Sequence, residues 1–163
     1  MRPLPTRQLD PRIKNVWRLN DGLWLTGIAV ACVLVVQVTG LFTDADGLAG
    51  TVVIVIGAVY ALALAVCLGV LPPIRYMRWR YEVTPEYLDI SQGIIWRTRL
   101  IVPFIRVQNT DTRQGPILRL FGLASVTVST AAGEHEIPGL SEDVAEQLRD
   151  RAAELARLAR EDV

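Results

Sequence analysis

Two long apolar segments without a charged residue constrain the fold of this chain more than any other feature. The first, Leu23–Phe42, has 20 residues, and the second, Thr51–Leu71, has 21. A helix of that length is roughly 30 Å long, which matches the hydrocarbon core of a bilayer. The residues after 80 are too few to bury two such helices, and the first segment is too long for a signal peptide. The sequence therefore predicts a hairpin of two transmembrane helices.

The charges that flank these segments predict how the hairpin is oriented. Residues 1–22 and 72–80 carry eight Lys and Arg between them, whereas the connecting stretch 43–50 carries two Asp and no basic residue. Basic residues accumulate on the cytoplasmic side of membrane proteins. We therefore expect a basic cytoplasmic N-terminal segment, a short extracytoplasmic loop over 43–50, a basic juxtamembrane linker over 72–80, and both termini in the cytoplasm.

Small residues recur at every fourth position of the second apolar segment, and two more lie in the first. Small side chains let helix backbones approach closely in lipid. The stripe either packs the two helices of the hairpin against each other or meets a helix of another subunit, and the sequence leaves both open. Neither segment contains an ionisable Asp, Glu, Lys, Arg or His, which argues against an ion or proton pathway. The predicted helix-packing residues are Gly57, Ala61, Ala65 and Gly69 in the second segment and Gly27 and Ala31 in the first.

The pattern of residues 81–163 predicts short strands followed by one amphipathic helix. Ser141 is a good N-cap for a helix over 141–160, and its apolar stripe is Val144, Leu148, Ala152, Leu155 and Ala159. The predicted fold class is therefore α+β: a transmembrane hairpin plus a small antiparallel β-roll that the C-terminal helix caps. Ile117–Phe121 is expected to form a turn or a short helix. The predicted strands are Tyr81–Thr84, Tyr87–Ser91, Ile94–Val102, Arg106–Thr112, Ala124–Thr130 and Glu134–Ile137.

Four short stretches of this region are its most specific motifs. They are Tyr81-Glu82-Val83-Thr84, Arg106-Val107-Gln108-Asn109, Gln114-Gly115-Pro116 with Arg119-Leu120-Phe121-Gly122-Leu123, and Val126-Thr127-Val128. With these motifs the chain resembles YdbS-like bacterial membrane proteins, which carry a bacterial pleckstrin-homology-like domain. The resemblance covers about residues 20–160, including the order of two spans, domain and terminal helix. It implies a pleckstrin-homology-like fold of two packed antiparallel sheets at a bacterial cell membrane, and it implies no known activity.

Arginine supplies almost all the positive charge of the chain. Phosphoinositide-binding members of the wider superfamily use lysine and arginine in their first hairpin, but here Lys14 is the only lysine. Arg97 and Arg99, two apart on a predicted strand, point to one face and could form part of a basic pocket. The candidate lipid- or partner-binding residues are Arg75, Arg78, Arg80, Arg97, Arg99, Arg106, Arg113 and Arg119.

The charge of the predicted domain is unevenly distributed. Residues 92–120 carry a net charge of +4, and residues 121–163 carry −5. The anionic inner leaflet attracts a basic surface by about 1 kcal/mol per arginine near it. The alternative is that these arginines form salt bridges with the acidic terminal helix or only keep the sheet soluble.

The chain lacks the residue patterns of the common catalytic and metal sites. His135 is its only histidine, and strand alternation places it on the opposite face from Glu134 and Glu136. Zinc needs three or four convergent ligands, and a nucleophile needs a neighbouring base. We expect no catalytic residue, no metal and no cofactor, and the net charge of zero points to no nucleic acid.

The sequence thus favours a non-catalytic membrane protein that acts as a binding module or scaffold at the cytoplasmic membrane face. Its expected partners are membrane lipids with anionic headgroups, another membrane protein, or further copies of the chain. An accessory subunit of a larger membrane enzyme or transporter is the alternative. A lipid-handling enzyme ranks last, because it needs a polar constellation that the sequence does not contain.

Overall fold

The computed structural model describes residues 4–40 and 46–161. Helix α1 runs Ile13–Gly40 and helix α2 runs Asp46–Leu64. Two helical stretches, Ile13–Gly40 and Gly50–Arg78, are long and apolar enough to cross a membrane, and no residue of their apolar windows is buried. The predicted loop over 43–50 falls partly outside the described residues, at 43–45, and α2 already begins at Asp46.

A π-helical turn, Ala65–Val70, joins α2 to helix α3, Leu71–Arg78. The carbonyl of Leu68 would accept a hydrogen bond from residue 72 in an α-helix and from residue 73 in a π-helix. Both of those residues are prolines, which have no N–H to donate. Arg18 Nε donates to this carbonyl instead, over 2.8 Å. A charge-assisted hydrogen bond thus satisfies a backbone group that the proline pair leaves without a helical partner.

Residues 80–141 form two three-stranded antiparallel sheets, as the predicted α+β class requires. The first has the order β1–β2–β3 and the second β4–β5–β6, and a 3-10 turn, Phe104–Arg106, lies between them. Helix α4, Pro116–Leu120, occupies the predicted compact segment. The strands are β1 Arg80–Val83, β2 Tyr87–Gln92, β3 Thr98–Pro103, β4 Val107–Arg113, β5 Leu123–Thr130 and β6 Gly133–Ser141.

Strand β3 begins at Thr98, so the predicted start at Ile94 is wrong. Gly93 adopts a φ of +111°, and a Cβ at this position would lie 1.9 Å from the carbonyl oxygen of Trp96. The chain therefore folds back immediately after β2, a conformation open to glycine alone. Residues 94–97 form a loop, and pairing with β2 resumes where Thr98 faces Gln92.

Helix α5, Glu142–Glu161, packs against β4, β5, β6 and the 3-10 turn. Of the predicted apolar stripe, Leu148, Ala152 and Leu155 are buried. Val144 is 38% exposed, so its place in the stripe is wrong. Ala145 and Ala156 are buried beside the three correctly predicted residues, because small side chains allow the helix to lie close to the sheet.

The N-terminal segment packs against the β-strands. Arg7 and Tyr81 exchange two backbone hydrogen bonds of 3.1 and 2.9 Å, which extends the β1 edge by one bridge. The Asp10 N–H donates to the carbonyl of Gly139 over 3.0 Å. Leu9 and Ile13 are buried, at 3% and 1% exposure. Of the described residues, 4–16 and 74–161 form one compact unit, which we call the β-domain, and 17–40 with 46–73 form the second, the helical hairpin.

Candidate functional site

The five arginines that were predicted to make one side of the β-domain basic lie on different elements of the fold. Arg97 lies in the loop before β3, Arg99 lies in β3, and Arg106 ends the 3-10 turn that follows it. Arg113 ends β4, which is about 20 Å along the strand from Arg106. Arg119 lies in α4, the element after β4. The structure therefore does not bring these arginines into a single headgroup pocket.

Arg99 forms a salt bridge with a neighbouring carboxylate. Its Nε lies 3.1 Å from both carboxylate oxygens of Asp89 on β2. The Asp89 side chain is only 3% exposed, whereas that of Arg99 is 29% exposed. This hydrogen bond raises the pKa of Arg99 above its ordinary value. An anionic ligand at Arg99 would have to compete with a buried carboxylate that has already been removed from water.

The alternative that these arginines pair with the acidic terminal helix is wrong for the part of the chain that is described. Arg113 pairs with Glu134 on β6 over 3.2 Å. Three of the four arginines of α5, Arg149, Arg151 and Arg157, pair with acids of α5. Within the described ranges, Arg97, Arg106 and Arg119 are exposed and form no ion pair.

The three arginines of the predicted juxtamembrane linker lie at the end of α3 and at the start of the first sheet. Arg75 and Arg78 lie in the last turn of α3 and are exposed, and Arg80 is the first residue of β1. The helix dipole favours cations near a helix C-terminus. Arg75 and Arg78 therefore stabilise α3 whether or not they bind a ligand.

A groove of about 580 Å³ lies between β3, the 3-10 turn and the β5–β6 turn. Its walls are mainly apolar and include Ile101 and Ile105, which are 40% and 49% exposed. Arg106, His135 and Arg160 also line it, and Arg160 donates to the carbonyl of Val107. The groove thus combines an apolar interior with cationic and titratable groups, which suits a ligand or partner that has an apolar body and an acidic group.

His135 was predicted to lie in a strand, on the opposite face from Glu134 and Glu136. In the structure it faces Val128 in the β5–β6 ladder and is half-buried in the groove wall. The described residues contain no group of three His, Cys, Asp or Glu side chains arranged to hold a metal.

The residues of the small-residue stripe are exposed within the helical hairpin. A Cβ built on Gly27, Gly57 or Gly69 would meet no atom within 4 Å. Ala31, Ala61 and Ala65 are exposed as well. Gly57 nevertheless lines, together with Thr26 and Val30, the apolar groove between the two helices, so both possibilities left open by the sequence stay predictions.

The two helices of the hairpin also meet through a hydroxyl pair that sequence reasoning missed. The Thr26 Oγ1 and the Tyr60 hydroxyl are 2.9 Å apart, and this pair borders an apolar groove of about 340 Å³. The signal was present in the sequence, since a tyrosine within an apolar span must find a hydrogen-bond partner where water is absent.

The role of the N-terminal segment was also missed. Arg12 binds both carboxylate oxygens of Asp10 and donates to the carbonyl of Phe121 over 3.1 Å. The bond from Arg12 lowers the pKa of Asp10. Burial raises the pKa of Tyr81, the residue that the segment pairs with. Leu9, Ile13 and Val16, spaced among the basic residues, were the available signal for a buried face.

The loop between β2 and β3 carries two large apolar side chains that nothing covers. Ile95 and Trp96 are each 85% exposed, more than any other large hydrophobic residue in the described chain. Arg97 follows them and is exposed.

These features define the class of the protein: a transmembrane protein with a small two-sheet domain closed by a C-terminal helix. The bacterial PH domain family matches residues 25–156, so the chain belongs to that family. It is 39% identical to the UPF0699 transmembrane protein YdbS of Bacillus subtilis (strain 168) over 163 residues, which is the whole of both chains. No solved structure matches the chain significantly.

Proposed function

We propose that this protein is a non-catalytic, membrane-anchored binding module. Its β-domain would act at the cytoplasmic face of the membrane and bind a protein partner, further copies of the chain or anionic lipid. The observation that carries the proposal is the 580 Å³ groove, because its apolar walls carry Arg106, which has no ion-pair partner in the described chain. Such a site is suited to binding by burial of apolar surface with one charged group for orientation.

The proposed orientation is a multi-pass one with both termini in the cytoplasm. It is supported by the basic residues on either side of the two apolar helices, among them Arg75 and Arg78. Thiol labelling of a cysteine introduced between the two helices tests it. Labelling from the cytoplasmic side alone would contradict the orientation.

Native mass spectrometry of the full-length protein, extracted gently from its own membrane, tests the proposed function. Multiples of 18.0 kDa with bound anionic lipid would support self-assembly and lipid binding. A second protein at fixed stoichiometry would support a partner-binding module. Bare monomer under all extraction conditions would contradict the proposal.

Arginine variants sharpen the test, and the structure selects them. Arg106→Gln removes a cation from the groove without breaking an ion pair, and we expect it to lower the retained lipid or partner several-fold. Arg113→Gln is the matched control, since Arg113 is equally exposed but pairs with Glu134 outside the groove. Arg99→Gln is unsuitable, because it would also leave the buried Asp89 without its partner. Equal retention by the Arg106 and Arg113 variants would rule out a role for the groove.

The second candidate function is an accessory subunit of a larger membrane enzyme or transporter. It is favoured by the open space around Gly57 and Gly69, where a built Cβ would meet no atom within 4 Å, which would allow another helix to approach closely. Gly57→Leu should then reduce co-purification of the partner, whereas Val59→Leu, also exposed on α2, should not. An unchanged partner yield in the Gly57 variant would count against this candidate.

A further inference from the structure

The loop of residues 93–97 has the composition of a membrane-contacting segment within a water-exposed domain. Ile95 and Trp96 are each 85% exposed, although the β-domain buries most of its other large apolar side chains. Residues 93–98 include Arg97 and no acidic residue. Two neighbouring large apolar side chains left open to solvent indicate a contact surface rather than ordinary surface variation.

The shape of the loop is held by its own backbone. Gly93 has a φ of +111° and lies against the carbonyl of Trp96, and the β2–β3 ladder pairs Gln92 with Thr98 directly beneath. The loop is therefore a tight turn that projects Ile95 and Trp96 from a paired strand end. Little conformational entropy remains to be lost when such a turn meets a surface.

Three observations favour a lipid bilayer over a protein as the surface that covers this loop. Tryptophan is enriched at the membrane–water interface, where its ring is apolar and its N–H stays hydrated. Arg97 has no ion pair among the described residues and matches an anionic leaflet in charge. The chain also carries its own apolar helices for anchoring, so a bilayer is always within reach of the domain.

We propose that residues 93–97 form an interfacial membrane contact, in which Ile95 and Trp96 insert into the headgroup region of the bilayer that anchors the chain and Arg97 binds lipid phosphate beside them. This inference rests on the proposed function in one respect, namely that the β-domain acts at the membrane face. It differs from the proposed groove site in the residues used and in the ligand, which is the bilayer surface itself.

The experiment uses the full-length protein in lipid nanodiscs. In a background with Cys32→Ser and Cys67→Ser, an environment-sensitive fluorophore is attached at Ile95→Cys. The matched control is Gln147→Cys, since Gln147 is exposed on helix α5 and lies in neither the loop nor the groove. Nanodiscs of phosphatidylcholine are compared with nanodiscs that also contain phosphatidylserine, each with and without lipids that carry a nitroxide quencher.

We expect blue-shifted emission and at least twofold quenching by nitroxide lipid at position 95, and neither effect at position 147. Phosphatidylserine should increase the quenching at position 95, and Arg97→Gln should remove that increase while leaving the contact in phosphatidylcholine. Trp96→Ser should shift the fluorophore at position 95 towards a water-like emission.

Two results would overturn the proposal. Water-like emission at position 95 in both nanodiscs would show that the loop stays in solvent. A blue shift without lipid quenching would show that protein, such as a second copy, covers the loop. If either result appears while native mass spectrometry still detects bound lipid or partner, the loop contact fails and the proposed function stands.

Discussion

The helical hairpin and the β-domain use the same kinds of apolar side chain in opposite ways. Ile54 of the hairpin is 74% exposed, whereas Phe104 and Ile137 of the β-domain are fully buried. A water-soluble domain is stabilised by removing apolar surface from water. A helix in lipid gains no hydrophobic free energy when it buries a leucine or valine against another helix, because lipid tails are equally apolar. Exposure of an apolar residue therefore has a different meaning in each unit.

The loop that carries Ile95 and Trp96 is the exception within the β-domain. Its side chains are exposed to the degree seen in the hairpin, although the strands on either side of it bury residues such as Ile90 and Val102. The comparison of the two units thus leads directly to the membrane contact proposed for this loop. If burial of apolar surface stabilises only the β-domain, equivalent substitutions in the two units will change stability by different amounts.

The largest contrast is expected from truncating an apolar side chain in each unit. Phe104→Ala should destabilise the β-domain by about 3–5 kcal/mol, because it removes a fully buried ring. Ile54→Ala should leave the β-domain unchanged. Hydrogen exchange of the full-length protein in nanodiscs measures the loss of amide protection in β2–β5. Similar losses in both variants would refute the contrast.

A second large effect is expected where the N-terminal segment contacts β6. Gly139 has a φ of +62°, and a Cβ there would lie 2.3 Å from Ile13 Cδ1. Gly139→Ala should therefore cost about 1–3 kcal/mol through overcrowding, with further strain from the backbone. Gly115→Ala is the control, since a Cβ there meets nothing within 4 Å. Chemical unfolding followed by near-UV circular dichroism measures both, and equal midpoints would contradict the packing.

Breaking the Asp89–Arg99 pair should have an intermediate effect. Arg99→Gln leaves a buried carboxylate without its partner and should cost about 1–3 kcal/mol. Arg113→Gln breaks an exposed pair with Glu134 and should cost under about 1 kcal/mol. Adding Asp89→Asn to Arg99→Gln should recover part of the loss. Thermal unfolding of the three variants decides this, and a loss for Arg113→Gln as large as that for Arg99→Gln would be inconsistent with it.

The smallest effect is expected inside the hairpin. Tyr60→Phe removes the hydrogen bond to Thr26 and should weaken helix association by about 0.6 kcal/mol, the usual size in membranes. The hairpin is unfolded by added denaturing detergent in mixed micelles, with Thr26→Val and the double variant completing the cycle. Additive losses in the double variant would show that the two hydroxyls do not interact.

Much of the architecture could be predicted from patterns that are local in sequence. The uncharged runs 23–42 and 51–71 predict helices of membrane-spanning length, because each helical residue advances the chain by a constant rise. The β2 strand and helix α5 follow from side-chain periodicity, and only the edges of the α5 stripe were misplaced. The family was recognisable from short motifs around Tyr81 and Arg106, and the match over residues 25–156 confirms it.

The candidate site was less predictable, because it depends on contacts between residues that are distant in the chain. Arg97 and Arg99 are neighbours in sequence, yet one is exposed in a loop and the other is held by Asp89. Their separation depends on the backward turn at Gly93, which strand periodicity does not reveal.

The sequence by itself determined that this protein has two membrane-length helices, a small β-domain and a terminal amphipathic helix, since each follows from hydropathy at a fixed spacing. The tertiary structure alone decided which charges are paired, that Thr26 meets Tyr60 within the hairpin, and that residues 4–16 belong to the β-domain. The physical reason is that pairing and burial are properties of the folded surface, and they depend on which distant residues the fold brings together.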